Sequence, residues 1–245
     1  MMLVLSLFPG IGLLDQAFEE EGFCVVRGPD LLWGGDIKQF HPPAGRFDGI
    51  IGGSPCQAFS RLSAIIKHNG YQLAENLVPE FERVVREAQP DWWLHENVRD
   101  APVPRIGGYI VDPRIVNNRW LGEEQNREHR MSFGTHFGAR LDISPWCATF
   151  LNPKWSPRVL ASGGRSGCLG PRAHRKKRTD LHRRLRSVKY FQEARRLQGL
   201  PADWDLPPFK MAEKIRALGN AVPLPLGSAI AKAIKRALAS SGAVT

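Results

Sequence analysis

Apolar residues in the first half of the chain fall into short, nearly unbroken runs, each closed by glycine, proline or charged residues. Runs of this length bounded by turn formers suit strands buried on both faces of a parallel sheet. The pattern predicts strands over residues 3–7, 23–27, 48–51, 91–95 and 130–137. Between the third and fourth of these, Leu77, Phe81, Val84, Val85 and Ala88 recur at helical spacing, so that segment is expected to be a helix with one apolar face, ended by Pro90. A short helix ending near Gly22 is expected after the first strand. Leu226, Ile230, Ile234 and Leu238, each four residues apart, predict a last helix that leaves Lys232, Lys235 and Arg236 for water. Strands alternating with helices in this way imply an α/β fold, a Rossmann-like sheet with helices on both faces.

The regularity fades between residues 139 and 211. Glycine and proline are scattered there, and residues 151–196 carry 14 Lys or Arg against only Asp180 and Glu193. This one segment holds more positive charge than the whole 245-residue chain, whose net charge is +10. The chain therefore divides into a main domain over 1–138, completed by 212–245, and a small loop-rich basic lobe over 139–211. Such a charge distribution favours a polyanionic partner, nucleic acid before membrane, because no apolar run is long enough to span a bilayer. The apolar start runs into Asp15 and Glu19 to Glu21 without a basic leader, so an export signal is not expected. Cys24, Cys56, Cys147 and Cys168 form no CxxC pair, so neither a disulfide framework nor a metal site is expected, and a cytoplasmic location fits.

Chemistry-bearing residues gather at the ends of the predicted strands. Phe8-Pro9-Gly10-Ile11-Gly12 follows the first, where glycines at a strand-to-helix turn let the backbone approach a cofactor, although a GxG there is often only a tight turn. Asp30 and Asp36-Ile37 follow the second strand, where such folds bind a ribose or an adenine amino group; an exposed loop acid is the plainer alternative. Gly52 to Ser60 follow the third and place Cys56 in a Gly-, Ser- and Pro-rich turn, a better setting for a nucleophile than for a packing residue. His95-Glu96-Asn97-Val98 closes the fourth, and Glu96 reads equally as a salt-bridge partner or as a general acid.

Taken in order, Phe8–Gly12, Pro55-Cys56-Gln57 and Glu96-Asn97-Val98 resemble the motifs of the cytosine-C5 DNA methyltransferase family. Gln125-Asn126-Arg127 is similar to the start of its QxRxR element, Arg196-Leu197-Gln198-Gly199-Leu200-Pro201 to RLQGFP, and Gly219-Asn220-Ala221-Val222 to GNxV. The resemblance implies an S-adenosylmethionine-dependent enzyme, of the kind found in restriction–modification, that acts as a monomer on cytosine flipped out of double-stranded DNA. It assigns Cys56 as the thiol that adds to C6, Glu96 as the carboxyl that contacts N3 and the amino group, and Arg127 as a residue that holds the base and the cysteine. It assigns Phe8, Pro9, Gly10, Gly12, Asp30, Asp36, Ile37, Pro55, Leu77, Asn220 and Ala221 to the cofactor. Gln57 and Ser60, with Arg175, Lys176, Lys177, Arg178, Arg183 and Arg184 of the basic lobe, fall to DNA, the lobe standing where the family reads its target.

Several positions depart from the pattern. Ser6 stands where the first motif usually has an acid and Leu13 where it has a glycine, which bears on cofactor affinity. The run from Arg27 to Gly35 is short, which weakens Asp30 as a ribose ligand. His129 replaces the second arginine of QxRxR, and Ala217 the glutamine expected before the final GN. Two other readings share these residues: a transfer-RNA cytosine methyltransferase of the same superfamily, and a catalytically silent DNA-binding relative.

Overall fold

The computed structural model describes residues 1–59, 74–143, 156, 157, 159, 180–207 and 209–240, with the backbone alone at 157 and 180–186. Four strands, β1 (Leu3–Leu7), β2 (Cys24–Arg27), β3 (Gly49–Gly52) and β4 (Trp92–Asn97), are mutually parallel. Two more, β5 (Ile110–Asn117) and β7 (Glu128–Thr135), extend the sheet, with β7 antiparallel to both β4 and β5. The order is β2-β1-β3-β4-β7-β5, and two-residue strands β6 (Gln125–Asn126) and β8 (Ser156–Pro157) pair separately. The chain moves outward from β1 to β2 and then crosses back to β3 on the other side of β1. That reversal opens a crevice beyond the carboxyl ends of β1 and β3, the usual ligand site of an open α/β sheet.

Side chains alternate across each strand, so the sheet has two cores. One face packs Val4, Ile51, Trp92, Leu94, Met131 and Phe133 against α1 (Leu13–Glu20) and the last helix, α5 (Leu224–Ala239), with Leu226, Ile230, Ile234 and Leu238 turned inward as their spacing predicts. The other packs Leu5, Leu7, Ile50 and Trp93 against Phe81, Val84, Val85 and Ala88 of α2 (Val78–Ala88). Pro79 suits the first turn of α2, and Gln89, left-handed at φ 51°, ends it before Pro90.

Adjacent Trp92 and Trp93 lie on opposite faces, and each is seated over a glycine of the neighbouring strand. A Cβ on Gly49 or Gly134 would stand 2.2 Å from the ring of Trp92 or Trp93, respectively. Gly134→Ala is expected to destabilise the fold by about 3 kcal/mol, because the ring cannot move within a close-packed core. Urea unfolding would read this as a lower midpoint with an unchanged slope.

The predicted strands are present to within about two residues, with 130–137 observed as Glu128–Thr135. Strand β5 was not predicted, since Asp112, Pro113 and Arg114 interrupt its apolar run; Pro113 is tolerated because β5 is an edge strand. Two further helices, α3 (Asp180–Leu197) and α4 (Met211–Asn220), also lacked a sequence signal. The segment read as loop-rich thus contains an 18-residue helix. Its last turns bury Phe191, Ala194 and Leu197 with Leu200, against Leu13, Ile215 and Leu218. Leu13, the departure from the glycine of the first motif, is thereby a packing residue.

Candidate active site

The turn after β1 is held in an uncommon conformation. Phe8 is left-handed at φ 55°, which costs a non-glycine residue strain, and Gly10 and Gly12 are left-handed as well. Asp30 fixes this turn: Oδ2 accepts from the Gly10 amide at 2.8 Å and Oδ1 from the Leu32 amide at 2.7 Å. The Gly10 carbonyl accepts from Trp33 Nε1 at 2.6 Å. Asp30 is therefore a clamp between the two strand ends. Ser6, where an acid was expected, accepts no charge of its own but donates to the buried Asp15 of α1 at 2.5 Å, and Asp15 also meets Arg27 at 3.1 Å. The acid absent from the strand is supplied from the first turn of α1, and burial holds its carboxyl above the usual range.

A cavity of about 200 Å³ opens beside this turn, lined by Phe8, Asp30, Asp36, Ile37, Pro55 and Leu77 among the expected cofactor residues, and by Pro29, Leu31, Gly35, Lys38 and Glu75 besides. Pro9, Gly10, Gly12, Asn220 and Ala221 are not among the lining residues. Asn220 ends α4 at the surface, and the Ala221 carbonyl accepts from Gln198. An apolar floor beneath Asp30, Asp36 and Glu75 suits a flat ring bearing amino groups and a cationic substituent. Among the described residues, no group of three His, Cys, Asp or Glu is placed to hold a metal ion, and no helix is long and apolar enough to cross a membrane.

Cys56 begins a single 3₁₀ turn, Cys56–Ala58, directly after Pro55 at the cavity wall. Ser54 ties this turn to the end of β4: its Oγ lies 2.9 Å from His95 Nε2, and its carbonyl and Oγ each accept from Asn97 Nδ2 at 3.0 Å. All three side chains are buried, and burial lowers His95 to about 4, leaving a neutral imidazole. These positioning residues lay within the quoted motifs, but nothing in the sequence singled them out. Burial pushes the Cys56 thiol up; the charge of Glu96 adds to this and that of Arg127 opposes it, so the three expected catalytic groups share one electrostatic site.

Glu96 points from β4 toward the same turn. A Cβ on Gly53 would stand 2.7 Å from its Oε2, so glycine lets the carboxylate come close to the backbone of the turn. Its Oε1 is 2.6 Å from His129 Nδ1 on β7. Burial raises the Glu96 pKa, but the hydrogen bond from His129 and the charges of His129 and Arg127 outweigh it and hold the carboxyl below its ordinary value. His129 was noted in the sequence only as a departure; the register that brings it to Glu96 is a property of the sheet.

The downstream motifs meet in a buried polar knot. Gln125 Nε2 donates to the Leu197 carbonyl at 2.7 Å, Gln198 donates to the carbonyls of Leu218 and Ala221, and Arg127 Nη1 reaches the Val159 carbonyl at 3.4 Å. Gln125 and Gln198 are both fully buried, so these contacts hold Arg127 in place from behind. Of the expected DNA-contacting residues, Gln57 is exposed beside Cys56. Ser60, Arg175, Lys176, Lys177 and Arg178 lie outside the described residues, and Arg183 and Arg184 are on α3, where only the backbone is described.

The fold matches solved methyltransferases. S. pombe Dnmt2 methyltransferase aligns with a TM-score of 0.59 at 13% identity, over 98% of this chain and 99% of that one. A Spodoptera frugiperda DNMT2 mutant aligns at 0.57 and 14% identity, over 96% and 100%. Identities this low define architecture alone: a Rossmann-like sheet with helices on both faces. The chain belongs to the C-5 cytosine-specific DNA methylase family, whose model matches residues 34–154 and 155–236. Curated relatives include the type II methyltransferase M.FnuDI of Fusobacterium nucleatum, 32% identical over 172 residues, which are 58% of this chain and 49% of that protein. The orphan methyltransferase M.SPRI of Bacillus phage SPR is 26% identical over 165 residues, 54% and 37% of the two. The chain thus spans about half or less of the length of these relatives.

Proposed function

We propose that the protein is a DNA (cytosine-5)-methyltransferase that transfers a methyl group from S-adenosylmethionine to C5 of a cytosine flipped out of duplex DNA, through a covalent bond between Cys56 and C6. One observation carries this reading: the turn after β3 that bears Cys56 is met at Gly53 by the Glu96 carboxylate of β4, beside a cavity walled by Pro55. Cytosine C5 is a poor nucleophile. Addition of the Cys56 thiolate to C6 makes C5 enamine-like, and negative charge moves onto the ring nitrogen, where Glu96 bonds to it. Arg127 offsets the charge of Glu96 and favours the thiolate. S-adenosylmethionine, when bound, supplies the electrophilic methyl group. Loss of the C5 proton and release of Cys56 then restore the aromatic ring.

Phe8, Asp36, Ile37, Pro55 and Leu77 are the residues we assign to hold the cofactor, with Asp36 taking its amino group; Glu75 on the rim is paired with Lys38 at 2.7 Å. Asp30, occupied by two backbone amides, acts through the position of the Phe8 turn. The Arg- and Lys-rich part of 139–211 is assigned to the phosphates and bases of the target, in keeping with its charge. The bacterial and phage sources of the relatives support work in the bacterial or phage-infected cytoplasm. Incubation with tritiated S-adenosylmethionine and either duplex DNA or transfer RNA tests the reading, and label is expected in duplex DNA. Label confined to transfer RNA would transfer the same chemistry to RNA, whereas a retained gel shift without label would mark a silent DNA-binding protein.

A further inference from the structure

His129 is 3% exposed, its Nδ1 is engaged by Glu96, and its Nε2 is buried without a hydrogen-bond partner among the described residues. A buried orphan nitrogen on a ring that touches the acid of the site calls for an explanation. The charged and titratable groups around it are few: Glu96, with His95 beside it on β4; Arg127, two residues before His129; and Cys56 on the turn after β3. Its partner on β5 is Val116, and the helix face covering this side of the sheet, Leu226 and Ile230, is apolar. Among the described residues, proton exchange in this pocket thus falls to Cys56 and the Glu96–His129 pair, since His95 is neutral.

We propose, resting on the methyltransferase reading above, that His129 is a positioning residue for Glu96 and the store of the proton that Glu96 delivers to the cytosine. Its Nδ1 hydrogen fixes Oε1, which leaves Oε2, on the Gly53 side, for the base. The step begins with imidazolium at His129, carboxylate at Glu96 and thiolate at Cys56. The Nδ1 proton passes to Glu96, giving a carboxylic acid and a neutral imidazole; the sulfur lone pair then forms the bond to C6, the C5–C6 π pair shifts toward the ring nitrogen, and that nitrogen takes the proton from the carboxyl group. Glu96 ends as a carboxylate, His129 as a neutral imidazole carrying its hydrogen on Nε2, and the adduct is uncharged. An arginine in this place would hold Glu96 equally well but would not yield a proton near neutral pH.

The pH profile of the chemical step follows. Burial lowers His129, despite the opposing hydrogen bond to Glu96, and raises Cys56, so imidazolium and thiolate are both minor forms at neutral pH. As pH rises, the first falls about tenfold per unit and the second rises about tenfold per unit. Their product is constant between the two pKa values. The single-turnover rate of methyl transfer to duplex DNA should therefore be nearly flat from about pH 7 to 8 in the wild type. In Glu96→Gln, which removes the carboxyl that relays the proton, only the thiol titrates, and the rate should climb about tenfold across that unit.

A wild-type rate that itself climbs tenfold, or a Glu96→Gln profile that runs parallel to the wild type, would overturn the proton-store role while leaving the methyltransferase reading intact. Absence of transfer by the wild type at every pH would overturn that reading and this inference together. A second readout needs no turnover: the His129 ring signal, identified by its loss in His129→Gln, is followed by NMR across the pH range in the full chain. Glu96→Gln should move its titration to lower pH, because the carboxylate supports the imidazolium. An unmoved titration would exclude the shared proton.

Discussion

Cys56→Ser abolishes methyl transfer, by on the order of 10⁴-fold or more, and leaves DNA binding and thermal stability near wild type. The sulfur must attack as a thiolate, and a serine hydroxyl in the same turn is far from ionised at neutral pH. The substitution removes little contact area, because Cys56 begins a surface-facing 3₁₀ turn whose anchor is Ser54, not the thiol itself. Tritium incorporation and a gel shift on one preparation separate the two outcomes. Transfer at the wild-type rate by this variant would falsify the nucleophile assignment. Cys24, exposed on edge strand β2, serves as the control: Cys24→Ser should be silent.

Glu96→Gln gives the second large effect, a loss of about 10²–10⁴-fold in methyl transfer with a simultaneous gain in the reactivity of Cys56. The amide keeps the shape of the side chain but carries no charge and delivers no proton, so the ring of the attacked cytosine loses its acid. Burial is the main reason the thiol pKa is high, and the Glu96 carboxylate adds to it, while Arg127 pulls the other way. Removing the carboxylate leaves Arg127 unopposed and lowers the thiol pKa. Iodoacetamide should then label Cys56 faster at a given pH, read peptide by peptide against Cys24. Slower labelling of Cys56 in this variant would mean that the carboxylate is too far from the thiol to act on it. A thermal midpoint near that of the wild type separates a chemical role from misfolding, because Cys24 is already exposed and unfolding would raise the labelling of Cys56 alone.

Most of the architecture was legible because its signals are local. A run such as Leu3–Leu7 closed by a Phe-Pro-Gly turn fixes a buried strand and its end, and the spacing of Leu77 to Ala88 fixes a helix face. Signals failed where local preference and position in the fold disagree. Strand β5 carries Asp112, Pro113 and Arg114 because an edge strand needs neither a continuous ladder nor two apolar faces. Helix α3 escaped notice because basic residues dominate its sequence and the buried positions described, Phe191, Ala194 and Leu197, set no apolar period over its whole length.

Residue identities at the strand ends likewise named Cys56, Glu96, Phe8 and Asp36, since open sheets keep their chemistry there. Which side chains would meet was another matter. Asp15 answering Ser6, Asp30 clamping the Gly10 amide, and Ser54 binding His95 and Asn97 all depend on elements distant in sequence being brought together.

The amino-acid sequence by itself determined where strands end and which reactive groups sit on those ends, because a period of two or of 3.6 residues and a glycine-rich turn are properties of a few neighbours. Only the tertiary structure decided that Glu96 meets His129. Register between β4 and β7 pairs Glu96 with Met131 and so puts the ring two residues further along on the same face, within reach of the carboxylate. Register is set by how two whole faces bury their apolar side chains, and a shift of one residue would turn His129 to the opposite face.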